Sequence, residues 1–397
     1  MTNYKYLIIG GGMTAAAAVE GIREVDQKGS IGLISTEPDP PYNRPPLTKG
    51  LWKGDKLDSI WRKVAEYGVT THLGRTAQHL DPQSRRVVDD QNTDYTYEKL
   101  LLATGAAPNV LPFGGEQVIY FRNLQDYQRL RAVTERNNHF AVIGGGFIGW
   151  EIAAALTMNG KEVVMVFPDK AIGSRMFPSE LAEFLSDFYR GKGIDVMPES
   201  SVTGMEGSDG KSSLQITHAK GGGKQEVTVD GVVAGIGVKP NVELAKAAGI
   251  EVENGIRVDS ALLTNKPDIY AAGDAACFHN PALDVWLRAE HEDNANTMGR
   301  CAGASMAGSA IAYDHQPFFY SDLFELGFEA VGEVDSRMET IADWKHPYKE
   351  GVIYYMREGR IRGVLLWNVW DQVDAARRLI ASTEQVHQAE LIGRLPE

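Results

Sequence analysis

Two glycine clusters carry the strongest chemical signal in this chain. Gly10-Gly11-Gly12-Met13-Thr14-Ala15 has the spacing G-x-G-x-x-A, and Gly144-Gly145-Gly146-Phe147-Ile148-Gly149 has the full G-x-G-x-x-G. In such a cluster the first glycine makes a tight turn and the second lets a pyrophosphate approach the backbone. The third small residue, Ala15 or Gly149, keeps helix and strand close. The following helix then turns its free N–H groups and positive dipole end toward the phosphates. Gly10, Gly12, Met13, Thr14 and Ala15 are expected to bind one dinucleotide, and Gly144, Gly146, Phe147 and Ile148 a second. Glu37, 27 positions after Gly10, is placed to accept hydrogen bonds from a ribose hydroxyl.

Each cluster needs a strand before it and a helix after it. Residues 4–9 read as a strand, 15–25 as a helix and 30–35 as a second strand. The second cluster repeats the order, with a strand over 140–143, a helix over 150–158 and a strand over 162–167. Two complete βαβ units imply two dinucleotides. Leu100-Leu101-Leu102-Ala103-Thr104-Gly105 and Asp268-Ile269-Tyr270-Ala271-Ala272-Gly273-Asp274 mark the first of them as a flavin. Each is a strand running into a small-residue turn that brings backbone near a cofactor, and Asp274 is placed to accept from a ribityl chain. Either segment alone also fits an ordinary strand-to-loop turn. Their order around the second cluster carries the reading, and Ala103, Thr104, Gly105 and Asp274 join the expected cofactor site.

Composition bounds the rest. The 397 residues are 43% hydrophobic and 23% charged, which suits two or three globular domains. Lys and Arg number 40 against 53 Asp and Glu, a net charge of −13 that argues against a nucleic-acid or anionic-membrane surface. No apolar run reaches the length of a membrane span. Only three residues precede the first strand, so no signal or transit peptide is expected, and the expected location is cytoplasmic. Cys277 and Cys301 are the only cysteines, which excludes a disulfide scaffold or a zinc ribbon. No metal site is expected.

Arg44 and Lys49 follow a stiff, proline-rich segment. Two cations beside a flavin hold its pyrophosphate and stabilise negative charge at the N1–C2=O edge of the reduced ring. The plainer alternative is a solvated basic loop. Glu151 falls two residues after the second cluster, where a carboxylate in the first turn of a helix also interacts favourably with the helix dipole.

Several segments together show a resemblance. They are Pro41-Tyr42-Asn43-Arg44-Pro45-Pro46-Leu47-Thr48-Lys49, Ala103-Thr104-Gly105, Phe167-Pro168-Asp169-Lys170, Glu290-His291-Glu292-Asp293-Asn294-Ala295 and Val364-Leu365-Leu366-Trp367-Asn368. The chain resembles the FAD- and NAD(P)H-dependent pyridine nucleotide-disulfide oxidoreductase superfamily, flavoproteins with two dinucleotide-binding domains that include ferredoxin reductases. The last three segments favour the branch of apoptosis-inducing factor and its bacterial relatives. Ferredoxin reductases usually carry Glu-Ser-Trp-Gln-Asn-Ala in place of the fourth.

The resemblance implies an α/β fold with two Rossmann-like domains. A discontinuous FAD domain would span 1–112 and 243–309, an inserted NAD domain 113–242, and a C-terminal α/β domain 310–397. It pairs Lys49 with Glu151 beside flavin N5, makes Phe147 a lid on the flavin, and sets Glu290 and His291 against the nicotinamide and flavin. Lys49, Glu151 and His291 are thus the expected catalytic residues. Tyr320 would lie beside the flavin and Gly237 beside the nicotinamide, with Ala77 and Ala295 in the cofactor site. Asp169, 25 positions after Gly144, matches a glutamate that holds the adenosine ribose, and Arg175 a lysine near it. A carboxylate there binds a 2′-hydroxyl and repels a 2′-phosphate, so NADH is expected over NADPH. Asn109 departs from the family, which usually has Arg there. No long regulatory insertion fits between Val331 and Tyr355, so a cell-death role is not implied.

The expected activity is hydride transfer from NADH to FAD, then electron delivery to an acceptor. A ferredoxin- or rubredoxin-type iron–sulfur protein, a quinone and dioxygen all stay open as that acceptor. The alternative is a redox sensor whose long-lived complex of reduced flavin with the nucleotide controls dimerisation or partner binding. A nucleotide-binding module without turnover is a third option. The two cysteines lie 24 residues apart and far from the chain start, so flavin-linked dithiol chemistry is not expected.

Overall fold

A computed structural model describes residues 2–395 apart from 209, 220, 222 and 383. The chain folds into two compact units. One comprises Met1–Arg44, Lys56–Ala107 and Lys239–Phe319, and the other Pro45–Asp55, Pro108–Val238 and Tyr320–Glu397.

The first unit is built on a seven-stranded sheet. Its central strand, Thr2–Ile9, pairs in parallel with Ile31–Ser35 on one side and Asp94–Leu102 on the other. Ile269–Ala271 then pairs in parallel with Asp94–Leu102, so the last segment of the unit completes the sheet begun by the first. Strands 2–9 and 31–35 are buried along most of their length, as expected for parallel strands covered on both faces. The helix Met13–Val25 follows the first glycine cluster, and its run of alanines is fully buried.

That helix packs on Glu292–Met306 through three glycines. A Cβ on Gly21 would stand 2.0 Å from the Arg300 carbonyl oxygen, one on Gly299 2.4 Å from that of Thr14, and one on Gly303 2.0 Å from that of Ala18. Backbone meets backbone here because no side chain intervenes. The chain end of the flavin-type pattern is thereby locked to its beginning.

In the second unit the parallel sheet runs in the order Asp195–Met197, Glu162–Val166, His139–Ile143, Gly231–Ala234, Val118–Tyr120. The helix Phe147–Met158 follows the second cluster and is capped by Gly146. It begins three residues earlier than the sequence pattern indicates, because Phe147 and Ile148 continue the helical path straight out of the glycine turn. A three-stranded antiparallel sheet, 200–208, 211–218 and 224–229, forms the return to Gly231. The C-terminal segment is a five-stranded antiparallel sheet, in which Leu326–Gly332, Arg360–Trp367, Glu350–Arg357 and Glu339–His346 are successive neighbours, carrying the helix Val373–Ala381. The architecture is α/β throughout, with two Rossmann-like motifs and a C-terminal α/β segment. Among the described residues no helix is long and apolar enough to cross a membrane.

The helix pair gives a test of opposite sign to the usual one. Replacing an interior helical glycine by alanine ordinarily stabilises by about 1 kcal/mol. Gly303→Ala should instead destabilise by roughly 1–3 kcal/mol, because the added methyl meets a backbone carbonyl that cannot rotate away. Urea or thermal denaturation reads the effect, and a rise in Tm would refute the close-packed account.

Candidate functional site

The two glycine clusters share one construction. Gly10 lies at φ +131°, and a Cβ there would collide with the Ala103 carbonyl oxygen at 2.0 Å, while one on Gly11 would strike Ser35 Oγ. Gly144 lies at φ +120° against the Gly235 carbonyl, and a Cβ on Gly145 would run into the Phe167 ring. In both clusters a residue at the end of the second strand of the βαβ unit, Ser35 in the first and Phe167 just past Val166 in the second, sits beneath the middle glycine. This accounts for Phe167, which is fully buried and serves as floor rather than as ligand. Only the third glycines, Gly12 and Gly146, have open space where a side chain would go. No side chain caps either helix, and neither first turn holds an acidic residue. Uncapped N–H groups, a positive dipole end and clear space fit a pyrophosphate at each cluster. FAD at the first and NAD(H) at the second suit the residues present.

Around the first cluster, Met13, Thr14 and Ala15 open the helix and are all buried. The Arg44 N–H donates to Met13 Sδ at 3.4 Å. The Glu37 carboxylate receives the Arg44 guanidinium on one oxygen and the Tyr42 hydroxyl, at 2.5 Å, on the other. Tyr42 is a partner that sequence reading missed, although it sits two residues before Arg44. A carboxylate has about four lone-pair sites, so Glu37 keeps acceptor capacity for a ribose. Burial opposes the charge on Arg44, but Tyr42, Glu37 and Asp274 outweigh it and raise its pKa.

Thr104 is tied to Asn241, donating to its carbonyl at 2.6 Å while the Asn241 amide donates back to the Thr104 carbonyl at 2.8 Å. Asn241 also donates its N–H to the Gly105 carbonyl. Gly273, at φ +74°, leaves room only for Thr14 beneath it, and Asp274 follows in a single 3-10 turn. Ala77 opens the strand Ala77–Asp81 and packs against the core of this unit. Glu290 is paired with Arg288. His291 caps the helix Glu292–Met306, and the Ala295 N–H bonds its carbonyl at 2.9 Å. The His291 ring stacks on Phe319, with centroids 4.4 Å apart and planes 20° apart.

The second unit holds a buried ion pair. Glu151 is 6% exposed, and its carboxylate receives Lys49 Nζ and Ser321 Oγ (2.6 Å) on one oxygen and Thr48 Oγ1 (2.5 Å) on the other. Glu151 is the fifth residue of its helix, beyond the first turn, so a simple helix-dipole role is corrected by the earlier helix start. Lys49 Nζ also stands 5.3 Å from the centre of the Tyr320 ring. Neither Thr48 nor Ser321 is assigned a role from the sequence, although each adjoins a residue that is. Phe147 packs on Trp150 at 4.8 Å and Phe328 at 6.1 Å between ring centres, and stays half-exposed, as does Ile148.

Asp169 accepts from Arg175 Nε at 3.2 Å, and Arg175 is 82% exposed. Gly237 lies at φ +87°. Asn109 donates its N–H to the Gly237 carbonyl at 2.9 Å and its side-chain amide to that of Ile236 at 3.2 Å. The departure at Asn109 thus has a local role, fixing the turn that presents Gly237. Both cysteines are free, and burial raises both thiol pKa values, so neither is a ready nucleophile.

His291 carries a pH signature. Burial pushes its pKa down from 6.5 to about 4, against the opposing pull of Asp274 and Asp293. The unfolded chain therefore binds more protons between these two values. This residue's stability contribution is intact above about pH 6.5 and is lost as pH falls toward about 4. His291→Gln removes that component, so its Tm should fall less steeply than wild type over this window. Parallel Tm–pH curves for the two proteins would contradict the assignment.

Residues 4–307 match the family model of the pyridine nucleotide-disulphide oxidoreductases, and residues 302–347 and 342–382 match that of the apoptosis-inducing factor, mitochondrion-associated, C-terminal segment. Mitochondrial apoptosis-inducing factor 1 of Dictyostelium discoideum is 31% identical over 418 residues, spanning 95% of this chain and 78% of that protein. Monodehydroascorbate reductase 3 of Arabidopsis thaliana is 33% identical over 399 residues, spanning 92% and 89%. Among solved structures, the covalent putidaredoxin reductase–putidaredoxin complex matches with a TM-score of 0.89 at 26% identity, over 98% of this chain and 95% of that one. With both nucleotide cradles inside the matched span, the chain belongs to the pyridine nucleotide-disulphide oxidoreductase family and is an FAD-dependent NAD(P)H oxidoreductase.

Proposed function

We propose that this protein oxidises NADH and passes the electrons to an acceptor outside the chain. The observation that carries this reading is the buried Lys49–Glu151 pair, whose helix rises directly from the second cradle. FAD, when bound, supplies the ring that takes hydride from NADH at N5 and releases electrons onward. The chain's own residues bind and orient. Gly10, Gly12, Met13, Thr14 and Ala15 hold the flavin pyrophosphate, Glu37 the adenosine ribose, and Asp274, Ala103, Thr104 and Gly105 the flavin side. Arg44 keeps Glu37 in place and adds positive charge near the phosphates.

Lys49, anchored by Glu151, places an ammonium at the N5 locus, and Tyr320 and Phe147 supply aromatic surface for the rings. Gly144, Gly146, Phe147 and Ile148 hold the nicotinamide nucleotide, with Gly237 giving backbone access and Glu290 and His291 contacting the nicotinamide. The low pKa of His291 keeps its ring neutral near pH 7, so it acts as a hydrogen-bonding partner rather than a second cation. The domain assignment proposed is FAD over 1–112 and 243–309, NAD over 113–242 and a C-terminal domain over 310–397.

Asp169 sets the nucleotide preference. Its carboxylate accepts from a ribose 2′-hydroxyl and repels a 2′-phosphate, while Arg175 is too exposed to neutralise it fully. For the acceptor, the putidaredoxin reductase of similar fold was solved joined to putidaredoxin, which supports a small redox protein. A quinone or dioxygen is the other class. The match to the C-terminal segment of apoptosis-inducing factor favours a second reading, a redox sensor that dimerises on reduction.

Two measurements decide among these. NADH should exceed NADPH in kcat/KM by on the order of tenfold or more, about 1.4 kcal/mol per decade, and Asp169→Asn should narrow the gap. An NADPH preference would overturn the Asp169 assignment. In stopped flow, rapid flavin bleaching by NADH with quick reoxidation by an added ferredoxin, rubredoxin or quinone supports the reductase. Persistent long-wavelength absorbance in air, with a shift in elution volume, supports the sensor.

A further inference from the structure

The Glu151 carboxylate is held by more than its lysine. We propose that Ser321 is a positioning residue for the reduction site: its hydroxyl, oriented by Trp150, fixes the carboxylate that in turn places the Lys49 ammonium. The proposal rests on the reading of Lys49 and Glu151 given above and assigns a role to a residue outside that reading.

Ser321 is fully buried in the strand Phe318–Leu323. Its Oγ lies 2.8 Å from Trp150 Nε1 and 2.6 Å from a Glu151 carboxylate oxygen. An indole N–H only donates, and a hydroxyl has a single proton. With Trp150 occupying an acceptor site on the oxygen, the Ser321 proton points to the carboxylate. Trp150 itself is 1% exposed, its indole stacks on Phe177 and packs against Phe147 and Phe328, and its backbone carbonyl accepts from the Tyr189 hydroxyl at 3.1 Å, so ring and backbone are both held. The order of command runs from packed indole to hydroxyl to carboxylate.

Thr48 completes the arrangement. Its hydroxyl lies 2.5 Å from the other Glu151 oxygen and 3.3 Å from the Pro45 carbonyl. The shorter, charge-assisted contact takes the proton. Three donors from two chain segments, residues 48–49 and 321, thus define the plane and rotation of one carboxylate. A lysine ammonium needs such a definition. It is a point charge on a flexible four-carbon stem, with no geometry of its own. A serine serving packing alone would need neither the carboxylate contact nor the fixed indole donor.

The test uses the flavin-loaded full chain as wild type, Ser321→Ala, Glu151→Gln and the double variant, with flavin content and Tm checking the fold. Two quantities are read: the rate of flavin reduction by NADH and the midpoint potential of the bound flavin. Ser321→Ala should lower the rate about tenfold, the size expected for losing a hydrogen bond to a charged group. It should also move the potential negative, because a less well-placed cation stabilises the reduced ring less. In the Glu151→Gln background, adding Ser321→Ala should change neither quantity further.

Full additivity of the two substitutions, or wild-type rate and potential in Ser321→Ala, overturns the proposal. If Glu151→Gln alone leaves both quantities untouched, the Lys49–Glu151 reading fails and the proposal falls with it. Ser321→Cys, close in volume and a weaker donor, carries the same test if the alanine variant does not fold.

Discussion

A carboxylate withdrawn from water must be paid for with partners, and in this chain that carboxylate is Glu151. Leaving it buried and unpaired would cost several kcal/mol, so the fold brings it a cation and two hydroxyls from distant segments. Residues 48 and 49, the helix after the second cradle and the strand at 320–321 converge on it. Remove any one and the others face an unsatisfied group in a dry environment. The same demand makes the site rigid, because three donors leave the carboxylate no alternative orientation. Rigidity at this point would serve the proposed hydride transfer, since a misplacement of about 1 Å can cost on the order of a hundredfold in rate.

A second constraint is close approach of backbone to backbone. The cradles and the contact between helices 13–25 and 292–306 all depend on positions where a methyl group would strike a carbonyl. The two uses differ. At Gly10 and Gly144 the absent side chain lets strands and turns meet, while at Gly12 and Gly146 it leaves space for a ligand. Glycines at 21, 299 and 303 instead bind the last segment of the first unit to its first helix. One residue type therefore serves both cofactor access and assembly, and only the surroundings tell which.

The family takes its name from disulfide chemistry, but Cys277 and Cys301 are free thiols whose pKa values burial raises. The chain's chemical resources are instead cations and aromatic surfaces. Arg44 is committed to Glu37 and Tyr42 in the first unit, and Lys49 to Glu151 in the second. The pairing of each cation with a carboxylate explains how both sit out of bulk water in a chain of net charge −13. Neither is a solvated basic loop.

How much of this was legible depended on range along the chain. The cradles, their strands and helices, and the α/β class were readable because each strand–turn–helix–strand pattern falls within about 30 residues, where spacing carries the signal. The type of Glu151 was readable, but its place in the helix was not, since the helix start depended on Phe147 and Ile148 continuing out of the turn. The place of the Phe167 ring under Gly145 came only with the structure. Thr48, Ser321 and Tyr42 carry no spacing signal at all: their partners lie 103, 170 and 5 residues away, and a lone hydroxyl residue is common everywhere. By itself the sequence determined that two phosphate cradles exist and which residue types line them, because local backbone sterics are written in glycine positions. Which hydroxyls and cations meet the buried carboxylate was decided by tertiary structure, because burial removes water as a partner and only the folded chain can say what replaces it.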